Sequence, residues 1–170
     1  GLIKDSGYYQ WIKDHKKEIK DRDEQILREM IYRSCLIKGG VVERDPKEQG
    51  ERALLNFGHT LGHAIEKLKE FQWLHGECVG VGCQLAAMIS AGRGEISQDD
   101  VKDIKDTFKE FDLWKPVGEI DPEEVVQTTK SDKKMEGNHV KFILLHQIGE
   151  AFIDRSVTEE EMRHALEQWN

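Results

Sequence analysis

Apolar residues recur three and four positions apart along most of the chain, and this spacing is typical of amphipathic helices. Two S/T-x-x-D/E patterns, at residues 97–100 and 158–161, are capping boxes that mark helix starts. Residues 75–91 are apolar and rich in glycine and alanine, which predicts a helix packed closely on all sides. Together these signals predict helices over residues 8–20, from Asp21 or Asp23 to beyond residue 37, and over 51–70, 75–91, 97–111, 121–129 and 158–168.

Strand signals are confined to the last third of the chain. Residues 140–145 form a mostly apolar, partly β-branched run, and residues 151–154 predict a second short strand. We find neither an internal repeat nor a domain boundary, and 170 residues fit one domain. The predicted fold class is mainly α, a multi-helix bundle with a small strand element in a single domain over residues 1–170.

Composition narrows the class of protein. A chain that is 38% hydrophobic and 34% charged can form one core with a heavily charged surface. The net charge of −8 and the absence of a basic tract argue against a nucleic-acid partner. No apolar run reaches the ~18 residues of a membrane span. Three cysteines at irregular spacing indicate free thiols and a cytoplasmic protein: Cys35, Cys78 and Cys83.

The segment 51–70 carries the most informative polar pattern. At about 100° per residue, a helix here places five polar side chains within roughly 80° of one another: Arg52, Asn56, His59, His63 and Glu66. Apolar residues occupy the opposite side, and Gly58 and Gly62 lie on a flank where another backbone can approach closely. An ordinary amphipathic helix and a binding site both remain open. Surface stripes, however, more often use lysine and glutamate than histidine and asparagine.

A third histidine follows in the W-L-H-G-E segment of residues 73–77. His75 alone would be interpreted as a capping residue of the next helix. Next to the polar face formed by Arg52, Asn56, His59, His63 and Glu66, His75 becomes a candidate metal ligand. Neutral imidazoles suit zinc, and a catalytic zinc keeps one position open. Two histidines four residues apart can also reach one metal, as in H-E-x-x-H, although the glutamate of that motif is missing here.

Three segments resemble the signature of the 3-dehydroquinate synthases: K-G-G-V-V-E-R-D at 38–45, G-E-R-A-L-L-N-F-G-H-T-L-G-H-A-I-E at 50–66, and W-L-H-G-E at 73–77. Weaker agreement extends over residues 1–149. The resemblance implies the C-terminal domain of the dehydroquinate synthase-like and glycerol dehydrogenase-like fold. It also implies an enzyme of the shikimate pathway, commonly homodimeric, that uses NAD and zinc or another divalent metal such as cobalt. That enzyme converts 3-deoxy-arabino-heptulosonate 7-phosphate, a phosphorylated sugar acid, into 3-dehydroquinate and phosphate, by a phosphate-eliminating lyase reaction.

The resemblance also implies roles for individual residues. His59 and His75 correspond to two of the family's zinc ligands, and His63 to a substrate-side or proton-handling residue. Residues expected to hold the substrate's carboxylate, hydroxyls and phosphate are Lys38, Arg52, Asn56 and one of the pair Lys133 and Lys134. The resemblance also makes Lys38, Arg52 and Asn56 candidate catalytic residues, together with His63. Without the resemblance, the lysines would be interpreted as solvated surface residues.

Two features of the family are missing from this chain. Its glutamate ligand lies upstream of the matching segment, and none of the glycine clusters here forms a dinucleotide-binding fingerprint. The chain also starts at Gly1 rather than methionine. We therefore expect a C-terminal half without its NAD-binding domain, inactive alone and binding zinc weakly through two histidines. Cys78 and Cys83 are interpreted as packing residues, with stray metal binding by their thiols as the alternative.

Alternatives remain within and outside the enzymes. Other sugar-phosphate cyclases share the histidine stripe, and metal-dependent alcohol and glycerol dehydrogenases share a similar histidine pair. A stand-alone helical binding or assembly domain with a vestigial site is the alternative from another class.

Overall fold

The computed structural model of the chain describes residues 1–116, 118, 120–130, 135–136 and 139–169. Lys133 and Lys134 lie outside these residues, so their predicted role stays a prediction. The elements in chain order are α1 (Ser6–Asp14), α2 (Lys16–Lys20), α3 (Glu24–Arg44), a 3₁₀ helix (Glu51–Asn56), α4 (His59–Leu68), α5 (His75–Gly92), α6 (Gln98–Glu110), α7 (Pro122–Thr129), β1 (Met135–Glu136), β2 (His139–Val140), β3 (Phe142–Gln147), β4 (Glu150–Asp154) and α8 (Glu159–Glu167).

Helix starts follow the capping signals of the sequence. Asp23 accepts hydrogen bonds from the backbone N–H groups of Gln25 and Ile26 in α3, and Asp121 accepts one from the Glu123 N–H in α7. Ser97 and Thr158 both form complete capping boxes, at the starts of α6 and α8. The described residues form mainly helices with two short two-stranded sheets, so the predicted mainly helical fold with a small strand element is confirmed.

The predicted single helix over residues 51–70 is wrong. A 3₁₀ helix ends at Asn56, Phe57 is extended, and Gly58 adopts a left-handed conformation with φ of 78° before α4 begins. Glycine tolerates this conformation because it has no Cβ to clash with the backbone. Arg52 and Asn56 therefore do not continue the helical face that carries the histidines.

The helix predicted over residues 8–20 is likewise divided in two. The backbone of His15 leaves helical geometry at φ −105° and ψ 20°, between α1 and α2. Its imidazole Nδ1 lies 2.8 Å from the Trp11 carbonyl oxygen, so the side chain bonds to a backbone group within the last turn of α1.

Helix α5 lies at the centre of the molecule. It packs against α4, α6, α8 and β3, and its side chains from Cys78 to Ala87 are buried, with Val79 partly so. The prediction of a helix enclosed on all sides is confirmed. Among the described helices, none is both long enough and apolar enough to cross a membrane.

Strands β3 and β4 form an antiparallel hairpin, with Leu144 opposite Phe152. The first four residues of β3 are buried against α5, where the Ser90 hydroxyl accepts a hydrogen bond from the Leu145 N–H at 3.0 Å. Backbone carbonyls of Leu2 and Ile3 accept hydrogen bonds from the hairpin. The sheet thus holds the start of the chain against the helical core. β1 and β2 pair separately, also antiparallel.

Candidate metal centre

Three histidines converge where α4 and α5 meet. His59 is the first residue of α4, His63 follows one turn later, and His75 is the first residue of α5. Their ring centroids are 5.2, 5.5 and 5.6 Å apart. One potential ligand nitrogen from each ring lies within 4.8 Å of the others. Among the described residues, these three histidines form the cluster that could hold a metal ion.

Glycines allow α4 and α5 to approach closely at this point. A Cβ added to Gly58 would lie 2.5 Å from the backbone N of Cys83, and one added to Gly62 would lie 2.9 Å from the carbonyl oxygen of Cys78. On the other side of the contact, a Cβ on Gly82 would lie 1.9 Å from the Gly58 carbonyl oxygen. The prediction that Gly58 and Gly62 admit another backbone is therefore confirmed.

Hydrogen bonds orient the rings of His59 and His75. His59 Nδ1 lies 3.1 Å from the Phe57 carbonyl oxygen, which can only accept, so a neutral ring donates from Nδ1 and carries its lone pair on Nε2. His75 Nδ1 lies 3.2 Å from the Glu66 carboxylate, which gives this ring the same arrangement. Both rings can therefore offer Nε2 to a shared cation.

The start of α5, which carries His75, is itself fixed. Glu77 accepts a hydrogen bond from the Leu74 N–H at 2.9 Å and forms an ion pair with Lys115 at 2.5 Å. The Lys115 ammonium and the Leu74 N–H together lower the pKa of Glu77 below its usual range, so the carboxylate stays ionised. The backbone at His75 is thereby held in place beside α4.

The donor set fits a divalent transition metal. In a tetrahedral zinc site the ligand nitrogens are roughly 3.3 Å apart, given Zn–N bonds of about 2.0–2.1 Å. The histidine nitrogens are at most 4.8 Å apart, so small side-chain rotations would bring them within bonding distance of one metal ion. Imidazole donors suit zinc and cobalt better than calcium or magnesium, which prefer oxygen.

Cys78 and Cys83 take no part in the histidine cluster. Both thiols are buried. The Cys83 thiol donates to the Phe57 carbonyl oxygen at 3.4 Å. Burial raises the pKa of Cys78 to about 11 and that of Cys83 to about 12. Their interpretation as packing residues agrees with this placement, since metals bind the thiolate form.

Arg52 and Asn56 lie on the 3₁₀ helix, not on α4, and the preceding loop holds them. Asp45 accepts a hydrogen bond from the Arg52 N–H at 3.0 Å, and the Arg52 guanidinium donates to the Pro46 carbonyl oxygen at 3.0 Å. The Asn56 amide donates to Glu48 at 3.3 Å. Hydrogen bonds to residues 45–48 therefore hold Arg52 and Asn56 in place immediately before α4. The sequence had predicted that a continuous helix would hold them there.

Lys38 lies near the end of α3, exposed to solvent. Helix α3 packs against the 3₁₀ helix that carries Arg52 and Asn56, which places Lys38 on the adjoining element. In the part of the chain that the structure describes, no hydrogen bond or ion pair joins Lys38 to the histidine cluster.

A depression of about 260 Å³ adjoins His63 between α4 and α7. It is lined by polar and charged groups of α4 and by two threonines of α7: Thr60, His63, Glu66, Lys67, Thr128 and Thr129, with Ala64 and Phe71. Glu66 lines this depression and also contacts His75, a role that we did not assign from the sequence. Its spacing of three residues from His63 and seven from His59 was the available signal.

Solved structures of sugar-phosphate cyclases share this architecture. A 2-epi-5-epi-valiolone synthase from Streptomyces hygroscopicus subsp. jinggangensis 5008, solved with NAD+ and Zn2+ bound, superimposes with a TM-score of 0.87 at 21% identity, covering 99% of this chain and 47% of that one. A 2-deoxy-scyllo-inosose synthase, complexed with carbaglucose-6-phosphate, NAD+ and Co2+, gives a TM-score of 0.74 at 22% identity over 86% of this chain and 43% of that one. The chain therefore has the fold of one part of a sugar-phosphate cyclase.

Sequence comparison identifies the family within that class. The model of the 3-dehydroquinate synthase C-terminal family matches residues 1–135, and the chain belongs to this family. It is 41% identical over 158 residues to the 3-dehydroquinate synthase of Nitrosospira multiformis, covering 92% of this chain and 43% of that protein. It is 38% identical to the enzyme of Bordetella pertussis, covering 99% of this chain and 47% of that protein. The chain thus spans a little under half the length of these relatives.

Proposed function

We propose that this chain forms the metal-binding and part of the substrate-binding half of a 3-dehydroquinate synthase, which converts 3-deoxy-arabino-heptulosonate 7-phosphate into 3-dehydroquinate and phosphate. The observation that carries the proposal is the convergence of His59, His63 and His75 within 4.8 Å, on the segment that matches the family. Sequence relatives named for this reaction, at 37–41% identity, favour it over the cyclases that share only the fold.

His59 and His75 would hold the divalent metal, with Nε2 of each ring directed to it by the hydrogen bonds on Nδ1. When bound, zinc or cobalt supplies a Lewis acid for a substrate hydroxyl or carbonyl oxygen, and NAD, held outside this chain, supplies a temporary hydride acceptor. The third ligand of the proposed site is a glutamate outside this chain. We therefore expect the complete protein, not this chain alone, to be active.

His63 would move protons instead of binding the metal. Its ring lies 5.2 Å from His59 and 5.6 Å from His75, and it also lines the polar depression beside α7. A group in that position can touch both the metal-bound part of a substrate and the part that loses a proton. The competing assignment is that His63 is a third metal ligand, because all three imidazoles lie close together. Experiment must distinguish this role from proton transfer.

Cationic and amide side chains would hold the substrate's anionic and hydroxyl groups. The Arg52 guanidinium is a forked donor that matches carboxylate or phosphate oxygens, and Asn56 and Lys38 supply further donors near the 3₁₀ helix. Lys133 and Lys134 remain candidates from the family resemblance.

The test uses the complete protein that contains this chain. His59→Ala should abolish phosphate release from 3-deoxy-arabino-heptulosonate 7-phosphate, because one metal ligand is lost. His146→Ala is the matched control, since His146 lies on β3, stacked on Phe152 and paired with Glu95. A near-normal rate for His59→Ala would contradict the assignment. Turnover of glucose 6-phosphate in place of the heptulosonate would support another sugar-phosphate cyclase.

Zinc titration of the 170-residue chain examines the ligand count. Two histidines should bind zinc only weakly, with a dissociation constant above about 1 µM, which corresponds to a binding free energy of about −8 kcal/mol. Sub-micromolar binding by the chain alone would contradict the two-ligand assignment. If that affinity also fell in His63→Ala, all three imidazoles would be ligands.

The wider proposal includes a cytoplasmic homodimer, from the family resemblance. Sedimentation of the complete protein at micromolar concentration should give the mass of two subunits. A monomer under those conditions would refute this part without affecting the metal assignment.

A further inference from the structure

His75 lies in a position where its ring needs an anchor. It is the first residue of α5, and 55% of its side chain is exposed. An exposed side chain with two rotatable bonds loses conformational entropy when it is fixed for ligand binding. Within the described residues, the hydrogen-bond partner of the His75 ring is the Glu66 carboxylate.

Glu66 is well placed to provide that anchor. Only 17% of its side chain is exposed, and it lies on α4 three residues after His63, on the same face as both α4 histidines. The α4 backbone is held against α5 by the glycine contacts at Gly58, Gly62 and Gly82. A carboxylate on this rigid element therefore meets a ring at the start of the neighbouring helix.

We infer that Glu66 is a positioning residue that orients His75 for metal binding by accepting a hydrogen bond from its Nδ1–H. The inference rests on the metal site proposed above. The carboxylate selects the tautomer in which the lone pair is on Nε2, and it makes that nitrogen a stronger donor to a cation. The Phe57 carbonyl does the same for His59, so both proposed ligands are prepared in one way.

Glu66 is less suited to be the missing carboxylate ligand itself. The described residues whose ligand atoms all lie within 4.8 Å of one another are His59, His63 and His75, and Glu66 falls outside that group. Its oxygen instead contacts Nδ1 of His75, at 3.2 Å. A carboxylate bound to the far nitrogen of a ligating histidine is the usual arrangement around protein-bound zinc.

The first measurement requires no metal. Nitrogen-15 NMR of the metal-free 170-residue chain at pH 8 should show His75 as the Nδ1–H tautomer. Glu66→Ala should lose this preference, whereas Glu70→Gln should keep it, because Glu70 is exposed and lies beyond the end of α4. Glu70→Gln removes the same charge near the same helix end and is therefore the matched control.

The second measurement is a titration with Co2+ followed by its visible absorption. Glu66→Ala should weaken binding by roughly 10- to 100-fold, the range found when such carboxylate partners are removed. Glu66→Gln keeps an acceptor oxygen and should recover part of that loss, and Glu70→Gln should stay within about twofold of the unchanged chain. Circular dichroism should be the same for all variants.

Three outcomes would overturn the inference. One is a wild-type His75 in the Nε2–H tautomer, and another is a Glu66→Ala affinity equal to that of Glu70→Gln. The third is a change in the Co2+ spectrum of Glu66→Gln that indicates the loss of an oxygen ligand, which would make Glu66 a ligand. If the complete protein, which supplies the third ligand, bound no Co2+, the proposed metal site would fail, whereas the tautomer measurement would still decide the role of Glu66.

Discussion

Replacing Gly82 with alanine puts a methyl group where α4 and α5 cross. The new Cβ would lie 1.9 Å from the Gly58 carbonyl oxygen and 2.8 Å from the Gly62 N. Both neighbours are backbone atoms, so no side-chain rotation can relieve the contact. The two helices must move apart, and because His59 and His63 are on one and His75 on the other, the separation also opens the histidine cluster.

The size of the effect follows from the contact distance. A carbon atom approaches a carbonyl oxygen to about 3.3 Å without repulsion, so the helices must separate locally by about 1.4 Å. Overpacking of a well-packed core costs typically 1–3 kcal/mol. We expect the upper end of that range, about 3 kcal/mol, because the contact lies at the buried centre of the molecule. At a urea dependence of about 2 kcal/mol/M, this lowers the unfolding midpoint by roughly 1.5 M.

Urea unfolding followed by circular dichroism measures the stability, and Co2+ titration measures the effect on the site. Gly92→Ala is the matched control on the same helix, because nothing lies within 4 Å of a Cβ added there. It should leave the stability unchanged or raise it slightly, since alanine favours helix more than glycine does. Equal midpoints and equal cobalt affinities for the two variants would refute the argument that close backbone contact sets the histidine spacing.

Further expected outcomes concern pH and thiol reactivity. The Arg93 guanidinium lowers the pKa of Glu161 to about 2, so this ion pair stabilises the fold above the usual glutamate pKa of 4.5, and the stabilisation is lost as the pH falls toward 2. The difference in unfolding free energy between the unchanged chain and Glu161→Gln should therefore shrink from pH 5 to pH 2, and a constant difference in acid unfolding curves would contradict this. Iodoacetamide at pH 8 should alkylate Cys35 first, because it is exposed and the other thiols are buried with raised pKa values: Cys78 and Cys83. Mass spectrometry that found rapid modification of a buried thiol in the native chain would disprove that placement.

Most of the fold could be predicted from local sequence signals. Capping residues act within one helical turn, so residue types predicted the starts of α6, α7 and α8 and limited the cap of α3 to Asp21 or Asp23. The apolar, glycine-rich composition of α5 predicted its burial, and the β-branched run predicted β3. The pair of histidines on α4 also followed from the sequence, because residues four apart share a helix face.

The break in the predicted 51–70 helix could not be found in this way. Every residue from Arg52 to Glu66 is compatible with helix, and the apolar spacing continues through the break. The left-handed turn at Gly58 brings the chain against Gly82 and Cys83 of α5, residues more than 20 positions away in the sequence. Periodicity reports the local preference, and here tertiary packing decided the outcome.

The sequence by itself thus determined which residues have suitable chemistry: three imidazoles, a forked cation and the glycines that permit close packing. Only the tertiary structure decided that Arg52 and Asn56 lie on a separate element, that His75 meets the α4 histidines, and that Glu66 contacts His75. The physical reason is that a helix fixes the positions of residues within a few turns. The path of residues 69–74, which returns His75 to α4, is decided instead by where α5 can pack.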